Sequence, residues 1–167
     1  FITALRRHID DLAQEMLKKD LVQPTDELNG YPNYVMLHVA GRYNEKMFCK
    51  MVNRDNVNTM NTADNSNLYF SLCHNENLDG SGIKKLLSLG LDINHQDTLG
   101  NTALMECIEH HLDNMMLFLE NGANPTIKNN DGQNAIEMFD SYHNNWEENK
   151  DKKNKRDVLN QAIQGIR

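Results

Sequence analysis

The sequence predicts an all-α solenoid built from repeated pairs of helices, with a capping helix at each end. Three observations lead to this fold class. Apolar residues recur at helical spacing, turn-rich connectors separate the helices, and the same order of elements repeats along the chain. At 167 residues the chain is long enough for one domain or a short repeat array with a buried core.

The clearest helix pair lies in the second half of the chain. Leu104, Cys107 and Ile108 are three and four residues apart, which places them on one face of a first helix. A second, more apolar helix is predicted within residues 112–119. Gly122 follows it, and glycine is the residue that best tolerates the left-handed conformation at a helix end. A turn-rich connector completes the unit.

The same order of elements occurs upstream and begins again downstream of this pair. The equivalent apolar positions are Leu37, Leu68, Leu104 and Ile136, which are separated by 31, 36 and 32 residues. A repeat period in this range indicates a solenoid, in which each unit buries its apolar face against its neighbours.

The two ends of the chain carry amphipathic stripes that fit capping helices. One stripe lies within residues 5–17, and the other lies within residues 158–166. We expect both to cover the ends of the stack, although the first could equally close a preceding repeat or domain. The basic run 150–156 is interpreted as a solvated loop, or alternatively as a small contact patch for an anion.

The residues of the clearest pair carry a resemblance to a known family. Asp97-Thr98-Leu99-Gly100-Asn101-Thr102-Ala103-Leu104 and Gly122-Ala123-Asn124 are similar to the two ends of the ankyrin repeat. The resemblance covers about residues 30–140 and implies an ankyrin-repeat α-solenoid. The Thr-Pro pair that is typical of the family is missing from every repeat.

The resemblance implies the following division of the chain. Residues 1–29 form an N-terminal capping helix or the end of a preceding domain, and residues 30–140 form the repeats. The repeat boundaries are expected at about 30–60, 61–96, 97–129 and 130–140 onward. Residues 141–167 form a charged insertion and a C-terminal capping helix.

Charge and composition exclude several classes of protein. The net charge of −7 argues against a general nucleic-acid binder, which would present a basic face. The apolar runs are too short to span a bilayer, so we expect no membrane insertion. Three cysteines without a CxxC spacing favour reduced core thiols in an intracellular, cytoplasmic protein.

No motif in the sequence predicts catalysis, a metal or a cofactor. The adjacent His110 and His111 point in different directions on a helix, so they chelate poorly even with Glu106 or Glu109 nearby. Cys73 and His74 form a pair by adjacency only, and nothing specifies a nucleophilic dyad. The glycine-rich run 79–82 lacks the lysine of a phosphate loop. The resemblance gives His38 a structural hydrogen bond to a backbone group of a neighbouring loop.

The resemblance therefore implies a non-catalytic, monomeric module that binds another protein through its concave surface and hairpin tips. Tyrosine and arginine are typical anchors of such interfaces. The partner-binding residues expected on this basis are Tyr31, Tyr34, Arg42, Tyr43, Asn65, His74, Leu99, Asn101, Glu109, His110 and Tyr142.

Three alternative functions remain open from the sequence. One is a scaffold in which the end helices mediate self-association. The chain begins with Phe1 and is expected to be a piece of a longer protein, so it could be the substrate-recruiting arm of a larger enzyme. It could also be an effector of an intracellular bacterium that is secreted into the host cell, since divergent ankyrin arrays occur in such proteins.

Overall fold

A computed structural model describes residues 33–61, 63–144 and 149–166, with side chains from residue 37 onward. The predicted N-terminal capping helix lies outside these ranges. Within them the chain contains eight α-helices and no β-strand. The helices are α1 (Asn33–Tyr43), α2 (Glu45–Met51), α3 (Leu68–Cys73), α4 (Ser81–Ser88), α5 (Ala103–His110), α6 (Met115–Glu120), α7 (Ala135–Tyr142) and α8 (Lys150–Gly165).

The helices stack as consecutive pairs. The first helices α1, α3, α5 and α7 pack against one another in chain order, and each of the first three also packs on the second helix that follows it. The second helices α2 and α4 are in contact, and α8 packs on α7. One apolar core runs through the stack, from Leu37 in α1 to Leu159 in α8. The predicted all-α solenoid is thus observed.

Polar caps set the register of the first helices. The side chains of Asn67, Thr102 and Asn134 each precede a first helix and accept hydrogen bonds from its backbone N–H groups. Aligning these caps pairs Tyr69 with Leu104. The expected pairing of Leu68 with Leu104 was therefore wrong by one residue, because Leu68 is the first residue after its cap and Leu104 is the second.

Hairpin-like loops connect the helix pairs and are bonded to each other. The Thr98 N–H donates to the Asp64 carbonyl at 2.8 Å, and the Asn130 N–H donates to the Leu99 carbonyl at 3.0 Å. Gly100 lies at this junction with φ of +76°, and a Cβ there would come within 2.8 Å of the Asn130 nitrogen. Each loop tip is therefore held in place by its neighbour.

Two predictions about single residues are refined by the fold. His38 Nδ1 lies 2.8 Å from Ser71 Oγ, a contact that joins α1 to α3 and was not predicted. Cys73 and Cys107 are buried free thiols, whereas Cys49 is only partly buried. Burial, with a hydrogen bond to Cys107, raises the pKa of Cys73 well above its ordinary value.

The interpretation of the basic run 150–156 as a solvated loop was wrong. These residues form the first turns of α8, which Asn149 caps through hydrogen bonds from Asp151 and Lys152. Arg156 makes a two-pronged contact with Asp140 of α7, at 2.6 and 2.7 Å. Two of its charges, on Lys155 and Arg156, have carboxylate partners on the repeat stack, and these ion pairs help to hold the helix against the stack.

Candidate functional site

The C-terminal ends of α1, α3 and α5 surround a depression of about 190 Å³, here called the helix-end depression. Its lining combines an aromatic ring, a guanidinium group and two imidazoles with polar loop residues. The lining residues are Arg42, Tyr43, His74, Glu76, Asn77 and His111. Arg42 also lies over the Tyr43 ring, with its guanidinium carbon 5.7 Å from the ring centroid.

A second depression, here called the hairpin depression, has a volume of about 260 Å³ and lies between two loop tips and the helices α5 and α7. Its lining is rich in amide side chains. The lining residues are Leu99, Asn101, Glu109, Asn129, Asn130, Asp131, Gln133, Met138 and Tyr142. Asn129 Nδ2 donates to Asn101 Oδ1 at 3.0 Å, which ties the two tips together.

Four side chains connect the two depressions and are here called the His–Glu cluster: His74, Glu106, Glu109 and His110. His74 Nε2 lies 3.0 Å from Glu106 Oε1. His110 Nε2 lies 3.7 Å from Glu106 Oε1 and 3.5 Å from Glu109 Oε1. The His74 and His110 ring centroids are 5.7 Å apart. The cluster joins α3 to α5 across two repeats.

The cluster perturbs the titration of its members and neighbours. Desolvation alone would raise the pKa of Glu106, but the hydrogen bond and charge of His74, with the charge of His110, bring it below its ordinary value. The pKa of His111 is lowered by desolvation and by the neighbouring His74, Arg42 and His110. Glu106 is therefore the ionised acceptor of the cluster, and His111 resists protonation.

Exposed apolar side chains lie at both depressions. Tyr43 is 43% exposed, Leu99 is 64% exposed and Tyr142 is 50% exposed. Desolvation raises the pKa of Tyr142, and so does its interaction with the Glu109 carboxylate. Large apolar groups that remain in water at a surface depression are available to a partner.

The structure brings together most of the residues predicted for partner binding. Arg42, Tyr43 and His74 line the helix-end depression. Leu99, Asn101, Glu109 and Tyr142 line the hairpin depression, and His110 lies in the cluster between them. Whether these residues bind a partner stays a prediction.

The other predicted residues are not brought into this group. Asn65 adopts a left-handed φ of 60° and contacts His95, whose Nε2 lies 2.7 Å from the Asn65 carbonyl oxygen. It belongs to a hairpin that is outside both depressions. Tyr31 lies outside the described residues, and Tyr34 lies in α1 with its side chain outside them.

Sequence reasoning did not place several lining residues in the site. His111 lines the helix-end depression although the adjacent His110 contacts Glu106 and Glu109. Asn129 and Met138 line the hairpin depression. The adjacency of the two histidines was visible in the sequence. The direction in which each imidazole points was not visible, because His110 is the last residue of α5 and His111 lies beyond the end of that helix.

These features define a class of protein: an all-α solenoid of stacked helix pairs with linked hairpin tips. Residues 99–130, which span the third pair, match the family model of the ankyrin repeat. The described residues fold as an all-α solenoid, as the sequence predicted, and this fold together with the match at 99–130 is consistent with an ankyrin array. No curated protein matches the chain.

Two further findings bear on function. Ankyrin repeats are in general modules for protein–protein interaction and are typically non-catalytic. Among the described helices, none has both the length and the apolar character needed to cross a membrane.

Proposed function

We propose that this protein is a non-catalytic, intracellular adaptor that binds one partner protein through a single continuous face. The face consists of the helix-end depression, the His–Glu cluster and the hairpin depression. The observation that carries the proposal is the exposure of Tyr43, Leu99 and Tyr142 on this face. Together they supply apolar anchors along a polar surface, the usual composition of a protein interface.

The polar groups around these anchors suit recognition of a peptide backbone and charged side chains. Arg42 and the histidines lie at one end, and the amides of Asn101, Asn129 and Gln133 lie at the other. Amide side chains both donate and accept hydrogen bonds, so they match either group of a main chain. Specificity for the partner would then come from the end of the face that carries Arg42 and the histidines.

The loop tips support the proposal because they are already ordered. The bonds from Thr98 to Asp64 and from Asn130 to Leu99 hold neighbouring hairpins together without a partner. A surface that is ordered before binding loses less conformational entropy when the complex forms. We therefore expect rigid-body recognition by a monomer.

The experiment compares capture of partners from cell lysate by four forms of the domain. These are the unchanged protein, Tyr43→Ala, Leu99→Ser and Leu87→Ser. Leu87 is 37% exposed but lies on the second helix α4, so it is a matched control for loss of an exposed leucine. The captured protein is then purified and its affinity is measured directly.

We expect Tyr43→Ala and Leu99→Ser each to weaken binding by about tenfold or more, which corresponds to ~1.4 kcal/mol. Leu87→Ser should leave the affinity unchanged. Equal affinities for all four forms would show that the partner uses another surface. Loss of binding only in the Leu87→Ser variant would show that the partner binds the surface of the second helices.

A further inference from the structure

We propose that the His–Glu cluster is a binding site for one transition-metal cation of the Zn²⁺ class, with Glu106, Glu109 and His110 as its ligands. The site lies on the face described above. Metal binding does not depend on the proposed adaptor function, and it can be measured without any partner.

The three ligands come from one side of one helix. Their positions are i, i+3 and i+4 on α5, and side chains at this spacing project to the same side. One ligand atom from each lies within 4.8 Å of the others. His110 Nε2 is 3.5 Å from Glu109 Oε1 and 3.7 Å from Glu106 Oε1.

These separations are close to those of a bound metal. Zn²⁺ binds imidazole nitrogen and carboxylate oxygen at about 2.0–2.1 Å in tetrahedral geometry, which places two ligand atoms about 3.3 Å apart. Each His110–carboxylate distance therefore needs to shorten by only a few tenths of an ångström. His110 is 47% exposed, so rotation of its side chain can shorten these two distances. The two glutamate oxygens, which lie within 4.8 Å of each other, must also approach when the cation binds.

The donor set selects the kind of cation. One imidazole with two carboxylates suits Zn²⁺ and its transition-metal neighbours, whereas Ca²⁺ and Mg²⁺ take oxygen ligands. The two glutamates supply two negative charges to balance the divalent cation. His110 Nε2 lies near an oxygen of each carboxylate, at 3.7 Å from Glu106 and 3.5 Å from Glu109.

A second element supports one of the ligands. His74, the residue that follows α3, is largely buried, with 17% of its side chain exposed, and its Nε2 is 3.0 Å from Glu106 Oε1. Its buried Nδ1 has no hydrogen-bond partner among the described residues. Because Glu106 accepts as a carboxylate, the N–H group on His74 Nε2 is the donor of this hydrogen bond.

His74 is therefore a positioning residue for the metal site. A hydrogen bond from a neighbouring group commonly orients a carboxylate ligand in protein metal sites. Because His74 comes from the preceding repeat, the packing of α3 on α5 determines where Glu106 points. Three protein ligands leave one coordination position for water on the solvent side.

The test is a titration of the tag-free protein with ZnCl₂ by calorimetry and with CoCl₂ by visible absorption, which reports the coordination geometry. The ligand variants are Glu109→Gln and His110→Ala. Glu120→Gln is the matched control, since Glu120 is exposed on α6 and outside the cluster. Circular dichroism confirms that each variant is folded.

We expect one Zn²⁺ per chain, with at least a tenfold loss of affinity in both ligand variants and no change in Glu120→Gln. His74→Phe should weaken binding by about tenfold. His74→Gln should restore it, because an amide N–H can replace the donor to Glu106. A purely structural role of His74 would not produce this rescue in the metal affinity.

Two results would overturn the proposal. One is an absence of Zn²⁺ binding by the unchanged protein. The other is binding that His110→Ala and Glu109→Gln leave intact, which would place the metal elsewhere in the chain. Partner binding is measured separately in buffer treated to remove metals, so failure of either proposal is distinguishable from failure of the other.

Discussion

His74 Nε2 lies 3.0 Å from Glu106 Oε1 and joins the end of one first helix to the middle of the next. The contact spans two repeats, since the residues are 32 positions apart in the chain. Without this packing the two groups would be separate surface residues. With it, they form the centre of a continuous polar strip between two surface depressions.

Gly100 is predicted to be the most sensitive glycine of the hairpin tips. Gly100→Ala should lower the free energy of unfolding by about 2–4 kcal/mol, because it adds backbone strain at positive φ and a clash. The added Cβ would meet the Asn130 nitrogen at 2.8 Å. Urea denaturation measures the change.

Gly122→Ala is the matched control for this substitution. Gly122 has a φ of +93°, but nothing lies within 4 Å of an added Cβ. Gly122→Ala should therefore lose only the free energy of unfolding that backbone strain costs, about 1 kcal/mol. Equal losses in the two variants would mean that the added Cβ at residue 100 makes no costly clash with Asn130.

Asn114 is predicted to stabilise the junction between two repeats. Its buried Nδ2 donates to the carbonyls of Cys73 and Asn75 at 2.7 and 2.9 Å. Asn114→Ala leaves both carbonyl oxygens without this donor, which should cost about 2 kcal/mol in thermal or urea unfolding. Asn160→Ala on the exposed side of α8 should change stability by less than about 0.5 kcal/mol. A comparable loss of stability in the Asn114→Ala and Asn160→Ala variants would contradict this role of Asn114.

Arg156 is predicted to fasten α8 to α7. Arg156→Ala should lower the free energy of unfolding by about 0.5–1 kcal/mol, because the pair with Asp140 is partly exposed. The rate of hydrogen exchange at the α8 amides should rise by more than the change in the free energy of global unfolding accounts for. Lysine at this position should not restore protection, since it lacks the planar two-pronged geometry. Lys153→Ala, at an exposed site of the same helix, should leave the exchange unchanged.

His111 is predicted to make stability depend on pH below its ordinary pKa of 6.5. Its folded-state pKa is lowered, so in this window the unfolded chain binds a proton that the folded chain does not. Stability from this source therefore falls as the pH falls from 6.5 toward the folded pKa. The variant His111→Gln should lose that part of the pH dependence in unfolding curves. An unchanged slope would show that the lowered pKa does not occur.

The helix pairs could be predicted from the sequence because their signals are local. Apolar periodicity around Leu104 and the glycine that follows α6 each act within a few residues. The register of the α3 repeat could not be predicted as reliably. Ser66 and Asn67 are both good capping residues, and only the observed hydrogen bonds distinguish them.

Much of the candidate site was also predictable, because the resemblance indicates which repeat positions face outward. Tyr43, Leu99 and Tyr142 were expected on that basis and are exposed. The helical state of the basic run 150–156 was not foreseen. The run carries no local apolar pattern, and Asp113 and Asp140, the partners of Lys155 and Arg156, lie on other elements.

The sequence by itself determined the class of fold, since helix periodicity, caps and turn glycines are properties of short segments and recur with the repeat. Only the tertiary structure decided which side chains meet across repeats: His74 with Glu106, Asn114 with the end of α3, and Arg156 with Asp140. The physical reason is that such contacts depend on the rotation and offset of one packed helix against the next. Those quantities follow from the whole core and are not encoded in any single segment.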